Sequence, residues 1–132
     1  MTIDHIAIVV KDLDAAIALY TQTLGFRPVY RETIAEQGVE AVGLQAGDSV
    51  IELLLPLDPN SPIARFRGEA EMKLHHTAYR VDDIETALAG YKAKGVRLIN
   101  EHPRRGAHGN RIAFLHPKST GGVLIELCQR DD

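Results

Sequence analysis

Apolar residues recur in two distant stretches of the chain, residues 3 to 10, where Ile, Val and Ala dominate, and residues 74 to 81, which carry Leu74, Ala78, Tyr79 and Val81. Such runs predict strands with at least one buried face. After each stretch comes an aspartate, Asp12 or Asp83, followed by apolar residues near helical spacing: Leu13, Ile17 and Tyr20 in one case, Ile84, Leu88 and Tyr91 in the other. A short acidic side chain before such a pattern is an N-cap, so a helix follows each strand. Gly25 and Gly95 stand just beyond, where a residue tolerant of positive φ ends a helix. Short strand-like runs then recur at 27 to 32, 40 to 45 and 49 to 54, and again at 97 to 100, 111 to 116 and 122 to 127, separated by Gly, Pro, Asn and Asp.

The two halves are copies of one pattern. Laying His5 over His76 also lays Asp12 over Asp83, Ala16 over Ala87 and Tyr20 over Tyr91. After small gaps, Gly25-Phe-Arg27 meets Gly95-Val-Arg97, and Val50-Ile-Glu-Leu-Leu54 meets Leu124-Ile-Glu-Leu-Cys128. The chain is thus expected to be one domain, 1–132, built of two βαβββ modules (1–56 and 73–132) with a linker (57–72) carrying one helical turn. A module of about 60 residues with one helix leaves a sheet face and an edge uncovered. Two copies side by side complete each other. The expected class is α+β, a curved mixed sheet around a cleft.

Charge narrows the partners. With 18 acidic and 15 basic residues the net charge is -3, which is no footprint for a nucleic acid backbone. No apolar run approaches the roughly 18 residues of a bilayer span, so no membrane partner is expected. One cysteine, Cys128, and a start without a basic-then-apolar leader point to a cytoplasmic protein.

The chemistry lies in four residues at matched places. His5 and His76 fall on the first strand of each module, and Glu52 and Glu126 on the last. Side chains alternate along a strand, so Glu52 shares a face with Val50 and Leu54, and Glu126 with Leu124 and Cys128. Each glutamate interrupts an apolar strand, and a buried carboxylate costs several kcal/mol unless something pairs it. A lone His or Glu on a strand is ordinarily a hydrogen-bonded residue, but a symmetric quartet of two imidazoles and two carboxylates is a charge-balanced N2O2 set for a divalent cation. Zinc favours a closed tetrahedron, whereas an open six-coordinate site suits cobalt, manganese, nickel or magnesium.

Other candidates are weaker. His75 should face away from His76, His116 precedes Pro117 in a turn, and Cys128 reads as a small buried apolar residue. The stretch from Arg104 to Asn110, with Arg104, Arg105 and His108 among glycines, could take a phosphate or carboxylate or be an ordinary surface loop.

Several longer motifs carry a resemblance. The doubled module with His and Glu at its ends is similar to the vicinal oxygen chelate (glyoxalase/bleomycin resistance/dioxygenase) superfamily. Asp4-His-Ile-Ala-Ile8, Glu36-Gln-Gly-Val39, Leu74-His-His-Thr-Ala78, Gly106-Ala-His-Gly109 and the long run from His116 to Leu127 resemble its methylmalonyl-CoA epimerase family. The resemblance implies a divalent metal, cobalt first with manganese, nickel, magnesium or zinc after it, held by His5, Glu52, His76 and Glu126. It implies epimerisation of (2R)- and (2S)-methylmalonyl-CoA by two-base proton transfer at the α carbon through a metal-stabilised enolate.

Glu126 is the first base on that reading. For the second, the strand glutamate used by some family members falls on Ala41 here, and Glu40, one step away, faces the other side. Glu52 is therefore preferred as catalytic residue and ligand. Arg104, Arg105, His108 and Lys118 are the nearest contacts for the acyl-CoA, and a homodimer is implied. Glyoxalase I-type lactoylglutathione lyase chemistry would use the same quartet, whereas an extradiol dioxygenase needs only two histidines and one carboxylate. A metal-free small-molecule binding module would need an aromatic lining, and this chain has 3 Phe, 4 Tyr and no Trp.

Overall fold

The structure, a computed structural model, describes residues 1 to 131. It divides into two compact units, one of His5–His75 and the other of Met1–Asp4 with His76–Asp132.

The first unit begins within β1 (Thr2–Val10), which is followed by α1 (Leu13–Ala18), then β2 (Arg27–Ile34), β3 (Val39–Ala46) and β4 (Ser49–Pro56), and it ends within β5 (Met72–Arg80). The order across this sheet is β2-β3-β4-β1. β4 runs parallel to β1 and antiparallel to β3, which is antiparallel to β2. Asp12 caps α1 as its sequence position predicts, its Oδ1 accepting from the Ala15 N–H at 3.0 Å. The helix then widens into a π-type turn, Leu19–Thr23, and Gly25 with φ 79° ends it. One sheet face carries Ile8, Val10, Val42, Leu44, Ile51 and Leu53, which pack with Leu13, Ala16 and Ile17 of the helix. Burying a side chain of this size contributes about 1.5–3 kcal/mol, so this layer holds the sheet's other face in place. The expected helical turn of the linker is a longer helix, α2 (Pro62–Arg67), capped by Ser61 with proline in its first turn.

The second unit repeats the plan. β5 (Met72–Arg80) leads to α3 (Ile84–Ala93), then β6 (Arg104–Arg105), β7 (Arg111–Leu115) and β8 (Ile125–Gln129), ordered β5-β8-β7-β6. Again the first and last strands are parallel, and β8 is antiparallel to β7. Asp83 caps α3 by accepting from the Thr86 N–H at 3.1 Å, a bond that holds its carboxyl below the usual range, and Gly95 with φ 88° follows the helix end. Ile84 and Leu88 of α3 pack on Ala113, Leu115 and Leu127.

Two expectations fail here. Residues 97 to 100 form no strand, only a bridge from Leu98 to Leu115. The Asn100 side chain accepts the Phe114 N–H at 2.8 Å and so takes a donor that a ladder would use. The paired segment is instead the two-residue β6, which lies inside what the sequence suggests is a loop. Likewise the last strand begins at Ile125 rather than 122, because Gly121 (φ 71°) and Gly122 (φ 91°) are spent in a turn closed by Gly122 N–H on the Pro117 carbonyl at 2.8 Å.

Candidate active site

Strand register places the four matched residues. In the first unit Ala7 of β1 lies beside Glu52 of β4, and His5 beside Val50. In the second, Ala78 of β5 lies beside Glu126 of β8. Each histidine is therefore two residues before the alanine that neighbours its glutamate, on the same side of its sheet. That side is opposite to the one covered by α1 or α3.

All four side chains are buried, with exposures of 6% (His5), 5% (Glu52), 4% (His76) and 2% (Glu126). His5 Nε2 stands 3.8 Å from Glu52 Oε1, and His76 Nε2 stands 3.1 Å from Glu126 Oε2. Two donors bound to one cation at about 2.0–2.2 Å sit roughly 3 Å apart. In each unit, then, an imidazole nitrogen and a carboxylate oxygen turn toward each other, at the spacing of neighbouring ligands for His76 and Glu126 and at a wider one for His5 and Glu52. The donor set, neutral nitrogen with anionic oxygen, fits a borderline divalent ion.

The surroundings of the two pairs differ. Across from Glu52 on β3 is Gly43, and the Tyr30 ring lies over that glycine while its hydroxyl donates to Glu52 Oε2 at 2.6 Å. Across from Glu126 on β7 is Phe114, whose ring meets His76 edge to face at 5.2 Å. The phenol of Tyr30 had no signal in sequence except that Gly43 leaves room on an otherwise filled strand.

Glu40 is placed elsewhere. It pairs in register with Leu55, on the helix-covered side, and accepts from Arg31 Nε at 2.6 Å. That contact raises the Arg31 guanidinium further above its already high value and engages the carboxylate.

Asp4 is a further buried acid, 3% exposed, which sequence reasoning passed over. Its Oδ1 accepts from Arg130 Nε at 2.8 Å and Arg80 Nε at 3.2 Å. Two guanidinium groups supply what a buried carboxylate needs. The signal available was the alternation that puts Arg80 after Ala78 and Arg130 after Cys128. Cys128 itself is fully buried. Burial first, then the negative charges of Asp4 and Glu126, push its thiol well up. Cys128 should accordingly resist an aromatic disulfide reagent at pH 8 in the native protein and react fully in denaturant. Native labelling as fast as a free thiol would contradict that burial.

The remaining candidates lie at the surface. Arg104 and Arg105 are exposed on β6, pairing with Ile112 and Arg111. His108 sits at φ 59° in the turn Ala107–Gly109 that joins β6 to β7. Lys118 is exposed in the turn Pro117–Ser119, and its N–H donates to His116 Nδ1 at 3.1 Å, which gives His116 a capping role. His75 packs edge to face on Phe66 at 5.0 Å.

Residues 4–114 match the family model of the Glyoxalase/Bleomycin resistance protein/Dioxygenase superfamily. The chain is 41% identical over 128 residues to the mitochondrial methylmalonyl-CoA epimerase of Homo sapiens, covering 96% of this chain and 73% of that one. It is 40% identical over 129 residues to the ethylmalonyl-CoA/methylmalonyl-CoA epimerase of Cereibacter sphaeroides, covering 96% of each. The crystal structure of methylmalonyl-CoA epimerase from Mycobacterium tuberculosis is similar with a TM-score of 0.94 and 38% identity, over 99% of this chain and 89% of that one.

Proposed function

The chain belongs to the glyoxalase/bleomycin resistance protein/dioxygenase superfamily, and from that premise we propose how its two buried His–Glu pairs serve the reaction of its relatives. The protein is an isomerase that epimerises methylmalonyl-CoA, as the named relatives do along nearly its whole length. The observation that carries the site is the duplicated pair. Each unit buries one imidazole and one carboxylate at the same register position, within 3.8 and 3.1 Å of each other.

In this reading His5, Glu52, His76 and Glu126 jointly hold one divalent cation, cobalt foremost. Such a cation, when bound there, would supply Lewis-acid stabilisation of negative charge on the substrate. Glu126 takes that proton from the carbon between thioester and carboxylate, the C–H electron pair passing into the thioester. Glu52, in protonated form, returns a proton to the other side. The roles exchange for the opposite epimer, and each carboxyl re-equilibrates with solvent. Such positioned bases contribute about 10²- to 10⁴-fold each.

Around this centre the exposed cations Arg104, Arg105, His108 and Lys118 are assigned to the phosphates of the acyl-CoA. A cytoplasmic address and a homodimer belong to the same proposal. The first is supported by the single buried cysteine and the second by the outer strand β2, which ends its sheet. No helix among the described residues is long and apolar enough to cross a membrane.

The test is deuterium incorporation at the α carbon of methylmalonyl-CoA in heavy water, with and without chelator. Incorporation that depends on metal supports the reading; incorporation untouched by exhaustive chelation removes the cation from it. Glu40→Ala should keep the rate within about twofold, since its carboxylate is bound to Arg31 on the other side of the sheet. Strong loss in that variant would transfer the second base from Glu52 to Glu40.

A further inference from the structure

The two halves match at the histidines and glutamates but differ in what stands opposite each glutamate, and the difference bears on Glu52. On β3, the residue opposite Glu52 is Gly43, and a Cβ built there would run into Cε2 and Cζ of the Tyr30 ring. The missing side chain is what lets the ring lie across the strand and bring its hydroxyl to Glu52 Oε2 at 2.6 Å. In the other half the residue opposite Glu126 is Phe114, so that space is filled. No strand forms over 97 to 100 to carry a counterpart of Tyr30, and Asn100 there binds the Phe114 N–H instead.

We propose that Tyr30 is the positioning residue of Glu52: its hydroxyl, seated over Gly43, holds Oε2 and so directs Oε1 alone toward His5. The inference rests on the function proposed above. It makes the two glutamates unequal in kind. Glu52 is fixed by a neutral donor in one rotamer, while Glu126 Oε2 has His76 Nε2 at 3.1 Å. A short O–H···O⁻ bond from a phenol restricts a carboxylate that would otherwise sample several rotamers, and ligand-orienting contacts of this kind are worth about 10- to 100-fold in metal affinity or activity.

Two substitutions isolate the hydroxyl. Tyr30→Phe removes it and keeps the ring. Gly43→Ala keeps it and drives the ring off the strand. Both should weaken cobalt retention about 10-fold or more in competition with a chelator, and both should shift the visible absorption of the cobalt-loaded protein. At saturating cobalt, Tyr30→Phe should slow α-proton wash-out for the enantiomer whose exchange Glu52→Gln abolishes, and leave the other enantiomer within about twofold.

Cobalt affinity, absorption and both wash-out rates all matching wild type in Tyr30→Phe, while Glu52→Ala loses affinity, would overturn the role of Tyr30 and leave the site reading standing. Wild-type protein that binds no cobalt, or Glu52→Ala that binds it normally, overturns the site reading and this inference together. Loss in Gly43→Ala alone, with Tyr30→Phe like wild type, assigns the effect to ring packing and also rejects the hydroxyl.

Discussion

Glu126→Gln is expected to stop epimerisation almost completely, lowering turnover roughly 10²- to 10⁴-fold, the range for removal of a positioned acid or base. Glutamine keeps the volume and one carbonyl oxygen but cannot take the proton. The carboxylate is 2% exposed with an imidazole at 3.1 Å, so bulk solvent has little access with which to replace it. What survives is informative. One base should still remove its own proton, so Glu126→Gln should continue to exchange the α proton of one enantiomer with heavy water while failing to produce the other. Glu52→Gln should show the complementary behaviour. Proton NMR of each enantiomer separately reads both, and equal loss of exchange on both enantiomers in both variants would argue against a base from each half.

The second large effect is expected from His76→Ala. His76 and Glu126 are each no more than 4% exposed, and removing the imidazole leaves a buried carboxylate without that partner, at a cost of about 1–3 kcal/mol. The Phe114 ring, now edge-on to His76, would also lose its neighbour. Urea unfolding of the metal-free variant should show that loss, and activity should stay absent after cobalt is added back. A variant as stable as wild type and restored by cobalt would mean that His76 neither pairs with Glu126 nor holds the ion. The His5→Ala substitution should be milder in stability, because Glu52 keeps the bond from Tyr30.

Most of this architecture was legible because the chain states it twice. The repeat that aligns His5 with His76 also aligns Ala7 with Ala78, and the strand registers Ala7 with Glu52 and Ala78 with Glu126 carry that alignment into space. Aspartate caps and glycine stops were legible for a different reason: each acts through bonds within a few residues of itself. The misread segments depend on partners far away in sequence. Residues 97 to 100 have strand-like composition, but the Asn100 side chain competes for the backbone of Phe114. The contact of Tyr30 with Glu52 spans two strands and requires an absent side chain at Gly43. Asp4 finds Arg80 and Arg130 from the far end of the chain. Pattern reading registers what residues prefer, and these three cases are decided by what happens to be opposite.

The most direct measurement is a cobalt titration of chelator-stripped protein, followed by its visible absorption, for wild type and for His5→Ala, Glu52→Ala, His76→Ala and Glu126→Ala. One ion per chain is predicted, with all four variants weakened, so that either half alone holds the metal poorly. Two ions per chain, or normal binding after both residues of one half are changed, would contradict a single shared centre.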